Sequence, residues 1–259
     1  MLHYLEKFKI MSQEELTPEL FSRKPAVLKA LNNPRSPSSV LNYMCGCDIN
    51  NLEDRNSLYY DETVEPLLGI WFRSGTALDN ICKPFSSVVR ELKADPQTLV
   101  GDEWFTIEGQ VAKVILADQL SRSCFRGTAE AFSFDYIGRE LVRDLVNKKQ
   151  VDKTLKLPPA LLYLLPWALA HSEEIIDLIR ACEIIDMAIG AYPNFNLFEG
   201  RNKKAVDQHR QVLEKFGRYP QRNLEFGRAN TPEEEIWLND KENLPIWAGG
   251  NLSFDQKIK

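Results

Sequence analysis

The sequence lacks the cysteine patterns that build disulfide frameworks or metal sites. Its five cysteines are an odd number, no two are spaced as C-x-x-C, and none has a histidine close to it. Free thiols in a reducing compartment fit this usage better than a disulfide-stabilised fold does. We therefore expect a cytoplasmic protein, and we interpret the Cys45-Gly-Cys47 pair as two neighbouring loop thiols.

Long apolar runs are missing as well. No stretch of 18 apolar residues occurs, and the apolar segment 161–170 is too short to span a bilayer. Acidic Glu6 and the lack of an uninterrupted apolar core near the start disfavour a cleaved signal peptide. A net charge of −5 disfavours a main role in binding nucleic acid, although residues 201–228 carry a local excess of positive charge. We expect neither a membrane nor a nucleic acid as partner.

The short motifs of common enzyme classes are also missing. The sequence has no G-x-S-x-G elbow, no phosphate-binding P-loop, no G-x-G-x-x-G turn after a strand and no H-E-x-x-H pair. Only three histidines are present, and none has the spacing of a zinc ligand. The sequence thus predicts no metal and no cofactor.

Alternation of apolar and polar residues with a period of two is missing, whereas helical periodicity is common. It predicts helices over 104–122, 135–146, 172–189 and 202–216. We therefore predict an all-α protein of antiparallel helix hairpins stacked in sequence order. Residues 1–58 are polar and interrupted by prolines, which predicts an N-terminal extension with short helices, and residues 59–259 form a single helical domain. The oligomeric state stays open.

Charged residues occur on the apolar face of the helix predicted over 104–122. The apolar stripe from Trp104 to Ile115 continues onto Asp118 and then, one turn later, onto Arg122. A buried carboxylate or guanidinium costs several kcal/mol unless it is paired and hydrogen-bonded. We therefore predict that Asp118 is buried and bonded to Arg122 or Arg126, at a place kept either for helix register or for a site.

Two of the three histidines are also predicted to point inward. His209 lies within the apolar stripe of its helix, and His171 lies on a line continued by Ile175 and Ile179. A single histidine on an apolar face is usually a satisfied core residue. Two of them together with Asp118 favour one shared polar cluster.

Three ordered blocks of the sequence resemble those of a known family. The run from Leu116 to Phe132 reads LADQLSRSCFRGTAEAF and resembles L-x-D-Q-F-P-R-N-x-x-R-G-T-x-x-A-F, a signature of the domain-of-unknown-function family 924. His171-Ser172-Glu173 resembles the family's H-S-E block, and FGRYPQRN at 216–223 resembles its F-G-R-F-P-H-R-N run. The resemblance covers roughly residues 65–240.

This resemblance implies an all-helical fold similar to tetratricopeptide-like α-α superhelices, and the family has no established biochemical function. Two departures matter. Ser121 stands where the family has proline, and Gln221 stands where it has a third histidine. The missing histidine weakens any three-histidine metal site.

Two functional hypotheses follow from these residues, beside a purely structural role as a buried network. The first is a polar pocket that binds an anionic small molecule or an acidic peptide. Its candidate residues are Asp118, Gln119, Arg122, Arg126, His171, Glu174, His209, Arg218, Arg222 and Asn223. The second is a cofactor-independent enzyme in which His171 or His209 acts as general base and Asp118 or Glu174 orients it.

Overall fold

The computed structural model describes residues 16–94, 99–253, 256 and 258, and helices dominate this part of the chain. No described residue lies in a β-strand, and the one isolated bridge joins Pro245 to Leu252. The prediction of an all-α fold is confirmed. The finer expectation of a tetratricopeptide-like superhelix stays a prediction. None of the described helices is long and apolar enough to cross a membrane.

Four short helices occupy the described residues before position 58. They are α1 (Pro18–Ser22), α2 (Pro25–Asn32), α3 (Pro37–Cys45) and α4 (Leu52–Ser57). The first three begin with proline, whose fixed φ and missing N–H suit the first helical position. Phe21, Val27 and Leu41 are fully buried in the same apolar core as Ile115. The division of the chain at residue 58 stays a prediction.

The described residues between 58 and 171 form nine further helices. They are α5 (Asp61–Arg73), α6 (Thr76–Ile81), α7 (Ser86–Ala94), α8 (Ile107–Ile115), α9 (Ser121–Cys124), α10 (Asp135–Leu145), α11 (Val151–Thr154), α12 (Pro159–Leu162) and α13 (Leu165–Ala170). Short 3-10 turns lie among them at Lys83–Phe85, Asp102–Phe105 and Ala129–Phe132.

The last three helices are α14 (Ile175–Ala191), α15 (Lys204–Phe216) and α16 (Pro232–Asn239). Gly217 follows α15 with φ 69°, the left-handed conformation in which glycine commonly ends a helix. Thr231 and Glu234 form a capping box at the start of α16. Further 3-10 turns lie at Pro220–Arg222 and Ile246–Ala248.

Helix α13 lies at the centre of the packing. All six of its residues are buried, and it contacts α8, α10, α14 and α15. An apolar helix that is buried all round needs neighbours on every side, which explains this position. His171 follows α13 directly. The central packing therefore brings His171 close to the end of α8.

The helix predicted over 104–122 is not continuous. It consists of the 3-10 turn Asp102–Phe105, then α8, a π-helical turn at Leu116–Leu120, and α9. In the π turn the Ser121 N–H donates to the Leu116 carbonyl, five residues back rather than four. Such turns interrupt α-helices frequently at functional sites. Asp118 lies within this one.

Candidate functional site

Five polar side chains from distant parts of the sequence meet at the π turn. They are Asp118, Arg122, Asp135, His171 and Arg222, which we call the Asp118 cluster. Asp118 and Arg122 come from the π turn and α9, Asp135 begins α10, His171 follows α13, and Arg222 ends a 3-10 turn. The cluster therefore joins four separate regions of the fold.

Asp118 is the most deeply buried member, with 1% of its side chain exposed. Its Oδ1 lies 2.7 Å from His171 Nδ1 and 2.9 Å from Arg122 Nη1, and its Oδ2 accepts a hydrogen bond from Gln119 Nε2 at 2.5 Å. Burial alone would raise the pKa of Asp118, but Arg122, His171 and Gln119 together hold that pKa well below its usual range. The predicted burial and pairing with Arg122 are confirmed.

The π turn leaves backbone carbonyls for side chains to bind. Arg122 Nη1 donates to the Asp118 carbonyl at 2.8 Å, and Ser121 Oγ donates to the Ala117 carbonyl at 2.7 Å. Arg122 also reaches α10, where its Nη2 donates to Asp135 Oδ2 at 3.0 Å. Arg122 thus uses its forked guanidinium to hold two carboxylates and the distorted turn at once.

His171 is held as a neutral imidazole. Burial and the charge of Arg122 lower the pKa of His171, against the opposing effect of Asp118. Since Asp118 is ionised, Nδ1 of His171 carries the proton and donates it to Oδ1. Nε2 is then the unprotonated nitrogen. The side chain of His171 keeps 15% of its surface exposed.

Arg222 has few acceptors for its guanidinium. Its Nη1 donates to the His171 carbonyl at 2.8 Å, and Asp135 Oδ2 lies 3.7 Å away. Its charge also lies 4.9 Å from the ring centre of Phe132 and 4.8 Å from that of Tyr219. Burial, followed by repulsion from Arg122, lowers the pKa of Arg222. Arg222 is therefore a buried cation with incomplete compensation.

His209 borders the cluster and belongs to an aromatic group. Its ring centre lies 5.9 Å from that of His171, and it stacks on Trp247 at 3.8 Å. Its Nδ1 lies 2.8 Å from the Ala205 carbonyl, one turn earlier on α15. Burial lowers the pKa of His209 to about 3. The two inward histidines do meet, but only His171 is bonded to Asp118.

Two arginines expected in the same cluster lie elsewhere. Arg126 Nε donates to Asp79 Oδ2 at 2.8 Å, because α9 ends at Cys124 and the apolar stripe ends with it. Arg218 follows the chain reversal at Gly217, and its Nε donates to Glu234 Oε1 at 2.6 Å. The expectation that all the predicted residues converge is wrong for Arg126 and Arg218.

Two other candidates also lie outside the cluster. Asn223 Nδ2 donates to Asn230 Oδ1 at 2.8 Å and so supports the loop before α16. Glu174 is exposed at the start of α14. Of the predicted residues, the structure brings together Asp118, Gln119, Arg122, His171 and Arg222, with His209 against them.

Two residues of this region, Asp135 and Trp167, were not predicted from the sequence. Asp135 lies in the first turn of α10, where an acidic residue is sufficiently explained by the helix dipole. Trp167 lies on the apolar helix α13, where no sequence pattern distinguishes it from its core neighbours. Its ring centre is 5.9 Å from that of His171. Its buried Nε1–H has no hydrogen-bond partner among the described residues. The one available signal was the position of Asp135, three residues after the family-like run.

Metal ligands do not gather in this part of the structure. Across the described ranges, no three His, Cys, Asp or Glu side chains are grouped as a metal ion would need. The cluster instead combines a carboxylate–imidazole pair, an ion-paired arginine and an under-compensated arginine. This set of groups can bind an anion, or can present Nε2 of His171 as a base.

The comparisons with known proteins agree with this fold. The bacterial protein family of unknown function DUF924 matches residues 57–242, which include the whole Asp118 cluster. The structure is similar to that of a protein of unknown function from Agrobacterium tumefaciens, with a TM-score of 0.54 and 27% sequence identity. That similarity covers 66% of this chain and 88% of the other. No curated protein matches the chain.

Proposed function

The chain belongs to the DUF924 family of bacterial proteins of unknown function, and we propose that it binds a small anionic molecule at the Asp118 cluster. The ligand is a carboxylate or a phosphate, held by the guanidinium of Arg222. The single observation that carries the proposal is the shortage of acceptors around this buried cation.

A guanidinium offers five N–H donors. Within the described part of the chain, the guanidinium of Arg222 makes one hydrogen bond, to the His171 carbonyl, and the carboxylate of Asp135 that lies 3.7 Å from it is already bonded to Arg122. An ion pair at 3.7 Å compensates the buried charge of Arg222 only in part, and an anion beside Arg222 would add to that compensation. The planar fork of arginine also matches the two oxygens of a carboxylate or phosphate.

The burial of the cluster favours a small ligand over an acidic peptide. Only 9% of the Arg222 side chain and 15% of the His171 side chain are exposed. A peptide would need an open surface several residues long, whereas a compact anion needs one gap beside Arg222. The unpartnered Nε1–H of Trp167 is a further donor close to His171.

Thermal unfolding with added anions tests this proposal. We expect inorganic phosphate, acetate or succinate to raise the melting temperature above that in sodium chloride of equal ionic strength, because a ligand of the folded state stabilises by mass action. Arg222→Met removes the guanidinium and should abolish this increase. Arg126→Met is the matched control, since Arg126 pairs with Asp79 away from the cluster, and it should keep the increase.

Two results would overturn the proposal. One is that none of these anions stabilises the wild-type protein beyond the salt control. The other is that Arg222→Met keeps the full stabilisation, which would place the binding elsewhere. An acidic peptide that stabilises the protein where the small anions do not would favour the peptide alternative instead.

The contact between His171 and Asp118 favours a second candidate, cofactor-independent acid–base catalysis. The 2.7 Å contact fixes the imidazole and leaves Nε2 as the basic nitrogen. His209 is less suited to this role, because burial lowers its pKa to about 3 and makes it a weak base. In this mechanism Nε2 of His171 accepts a proton from the substrate or from water, and Asp118 stabilises the imidazolium that forms.

Ester hydrolysis gives a direct test of this candidate. We expect turnover of p-nitrophenyl acetate or p-nitrophenyl phosphate by the wild-type protein, its loss in His171→Gln, and its retention in His209→Asn. No turnover of either ester above the uncatalysed rate, or turnover unchanged in His171→Gln, would contradict general-base catalysis by His171 on these substrates.

A further inference from the structure

Two cysteines that the proposed function does not use lie in contact. Sγ of Cys124 is 3.6 Å from Sγ of Cys82, although 42 residues separate them. Cys82 follows α6 and is fully buried, and Cys124 ends α9 and is half-buried. A disulfide needs a sulfur–sulfur distance of about 2.05 Å, so a small side-chain movement would join the two residues.

The two thiols differ in their surroundings. Cys124 Sγ donates a hydrogen bond to the Cys82 carbonyl at 3.4 Å. The neighbouring thiol of Cys82 and the hydroxyl of Ser86 lower the pKa of Cys124, while the hydrogen bond with Cys124 and burial raise the pKa of Cys82. Cys124 is half-buried whereas Cys82 is fully buried, so Cys124 is the thiol that an oxidant reaches first.

The charged groups nearby do not block this chemistry. The guanidinium of Arg90 lies 4.6 Å above the ring of Phe125, next in sequence to Cys124. The carboxylate of Asp79 is ion-paired with Arg126 at 2.8 Å, which reduces its repulsion of a thiolate. A small oxidant that reaches Cys124 therefore finds a second thiol 3.6 Å from the first.

We propose that Cys82 and Cys124 form a redox-active dithiol that reduces hydrogen peroxide and closes to a disulfide. The Cys124 thiolate attacks one peroxide oxygen, the O–O bond breaks, and the leaving hydroxide takes a proton to become water. The product at Cys124 is a sulfenic acid. Cys82 then attacks the Cys124 sulfur, the S–O bond breaks, and a second water leaves. In total, two thiols and one hydrogen peroxide give one disulfide and two waters.

The disulfide would form close to the Asp118 cluster. Arg122 lies on α9 two residues before Cys124, so the bond would tie the helix that carries Arg122 to the end of α6. A covalent link across this distance in sequence restricts the unfolded chain and raises the melting temperature. Peroxide treatment should therefore stabilise the protein as well as remove thiols.

Mass spectrometry of the full chain tests the proposal. After one equivalent of hydrogen peroxide, we expect the intact mass to fall by two hydrogens and a proteolytic map to contain a Cys82–Cys124 linked peptide. The Cys45–Cys47 pair is the internal control. These two thiols are closer in sequence, but burial raises the pKa of each, and they should stay reduced.

Variants establish the order of reaction. In Cys82→Ala the sulfenic acid of Cys124 has no resolving thiol, so dimedone should label Cys124. In Cys124→Ser the labelling and the disulfide should both disappear. The proposal is overturned if Cys82 and Cys124 stay reduced in wild-type protein while other thiols oxidise, or if Cys82→Ala gives no label on Cys124. The proteolytic map of the wild-type protein tests the proposal even if a variant fails to fold.

Discussion

The carboxylate of Asp118 and the imidazole of His171 lie 2.7 Å apart, across a sequence separation of 53 residues. One comes from a π turn and the other from the residue that follows the central helix α13. Because Asp118 also accepts bonds from Arg122 and Gln119, the position of His171 depends on the whole turn. A change in the conformation of the π turn would therefore shift the imidazole of His171.

Replacing Asp118 should destabilise the protein strongly. Asp118→Asn keeps the shape of the side chain but removes the charge that compensates Arg122 and orients His171. We expect a loss of about 3 kcal/mol in the free energy of unfolding, as for other broken buried ion pairs. Urea denaturation measures it.

Asp79→Asn is the matched control, because its partner Arg126 has 45% of its side chain exposed. This change should cost less than about 1 kcal/mol. Equal losses of unfolding free energy in the two variants would contradict a larger contribution from the buried ion pair.

Acid should weaken the fold through His209. In the unfolded chain this histidine binds a proton below about pH 6.5, but in the folded protein its pKa is lowered to about 3. The unfolded state therefore binds more protons between these values, and the free energy of unfolding falls as the pH falls. The slope due to this one group approaches about 1.4 kcal/mol per pH unit.

The variant His209→Asn tests this pH dependence, since an asparagine amide can still donate to the Ala205 carbonyl. Between about pH 6 and 4.5, its unfolding free energy should fall less steeply than that of the wild type, by the slope given above. Identical slopes in the two proteins would show that His209 does not stay neutral in the folded state.

Gly109 should tolerate no side chain. A Cβ at this position would lie 2.2 Å from the Glu103 carbonyl oxygen, and backbone cannot move aside cheaply. We expect Gly109→Ala to cost more than about 2 kcal/mol, since it forces apart the 3-10 turn and α8. Thermal or urea unfolding measures the loss.

The control for this change is Gly190→Ala, near the end of α14, where a Cβ meets nothing within 4 Å. This variant should be neutral or more stable by up to about 1 kcal/mol, because alanine has the higher helix propensity. If Gly190→Ala were destabilised as well, the loss of stability in Gly109→Ala could not be assigned to the close approach of backbone.

Removing the N-cap of α16 should have a modest effect on the free energy of unfolding. The Glu234 N–H donates to Thr231 Oγ1 at 3.2 Å, and the Thr231 N–H donates to Glu234 Oε2 at 2.7 Å. Thr231→Ala should cost about 0.5–2 kcal/mol, and Thr231→Ser should cost little. Stabilisation by anions should be unchanged in both variants. Equal damage to stability and to anion binding in Thr231→Ala would mean that α16 builds the site.

Local periodicity predicted the all-α fold and the most buried member of the cluster, but not the π turn that interrupts the helix predicted over 104–122. The apolar stripe ending at Ile115 placed Asp118 inside, and the one-turn spacing supplied Arg122 as its partner. Periodicity continues only while the helix does, however. It gave no information on Arg126, which lies beyond the helix predicted to end at Arg122 and beyond the end of α9 at Cys124.

The long-range partners were less accessible to sequence analysis. His171 was predicted to point inward, but only the packing of α13 against α8 brings it to Asp118. Asp135 has a sufficient local explanation at the start of a helix, so no local pattern indicates its contacts with Arg122 and Arg222. Contacts between helices depend on the angles at which the helices cross. No local pattern in a single sequence specifies these angles.

Trp247, which stacks on His209 at 3.8 Å, lies five residues beyond the stretch matched by the family. Trp247 therefore covers His209 from outside the part of the chain that the family model matches. Relatives that share the helical frame but carry another segment in place of this one would have a different cover over His209. Diversification of this kind alters access while leaving the framework of the fold untouched.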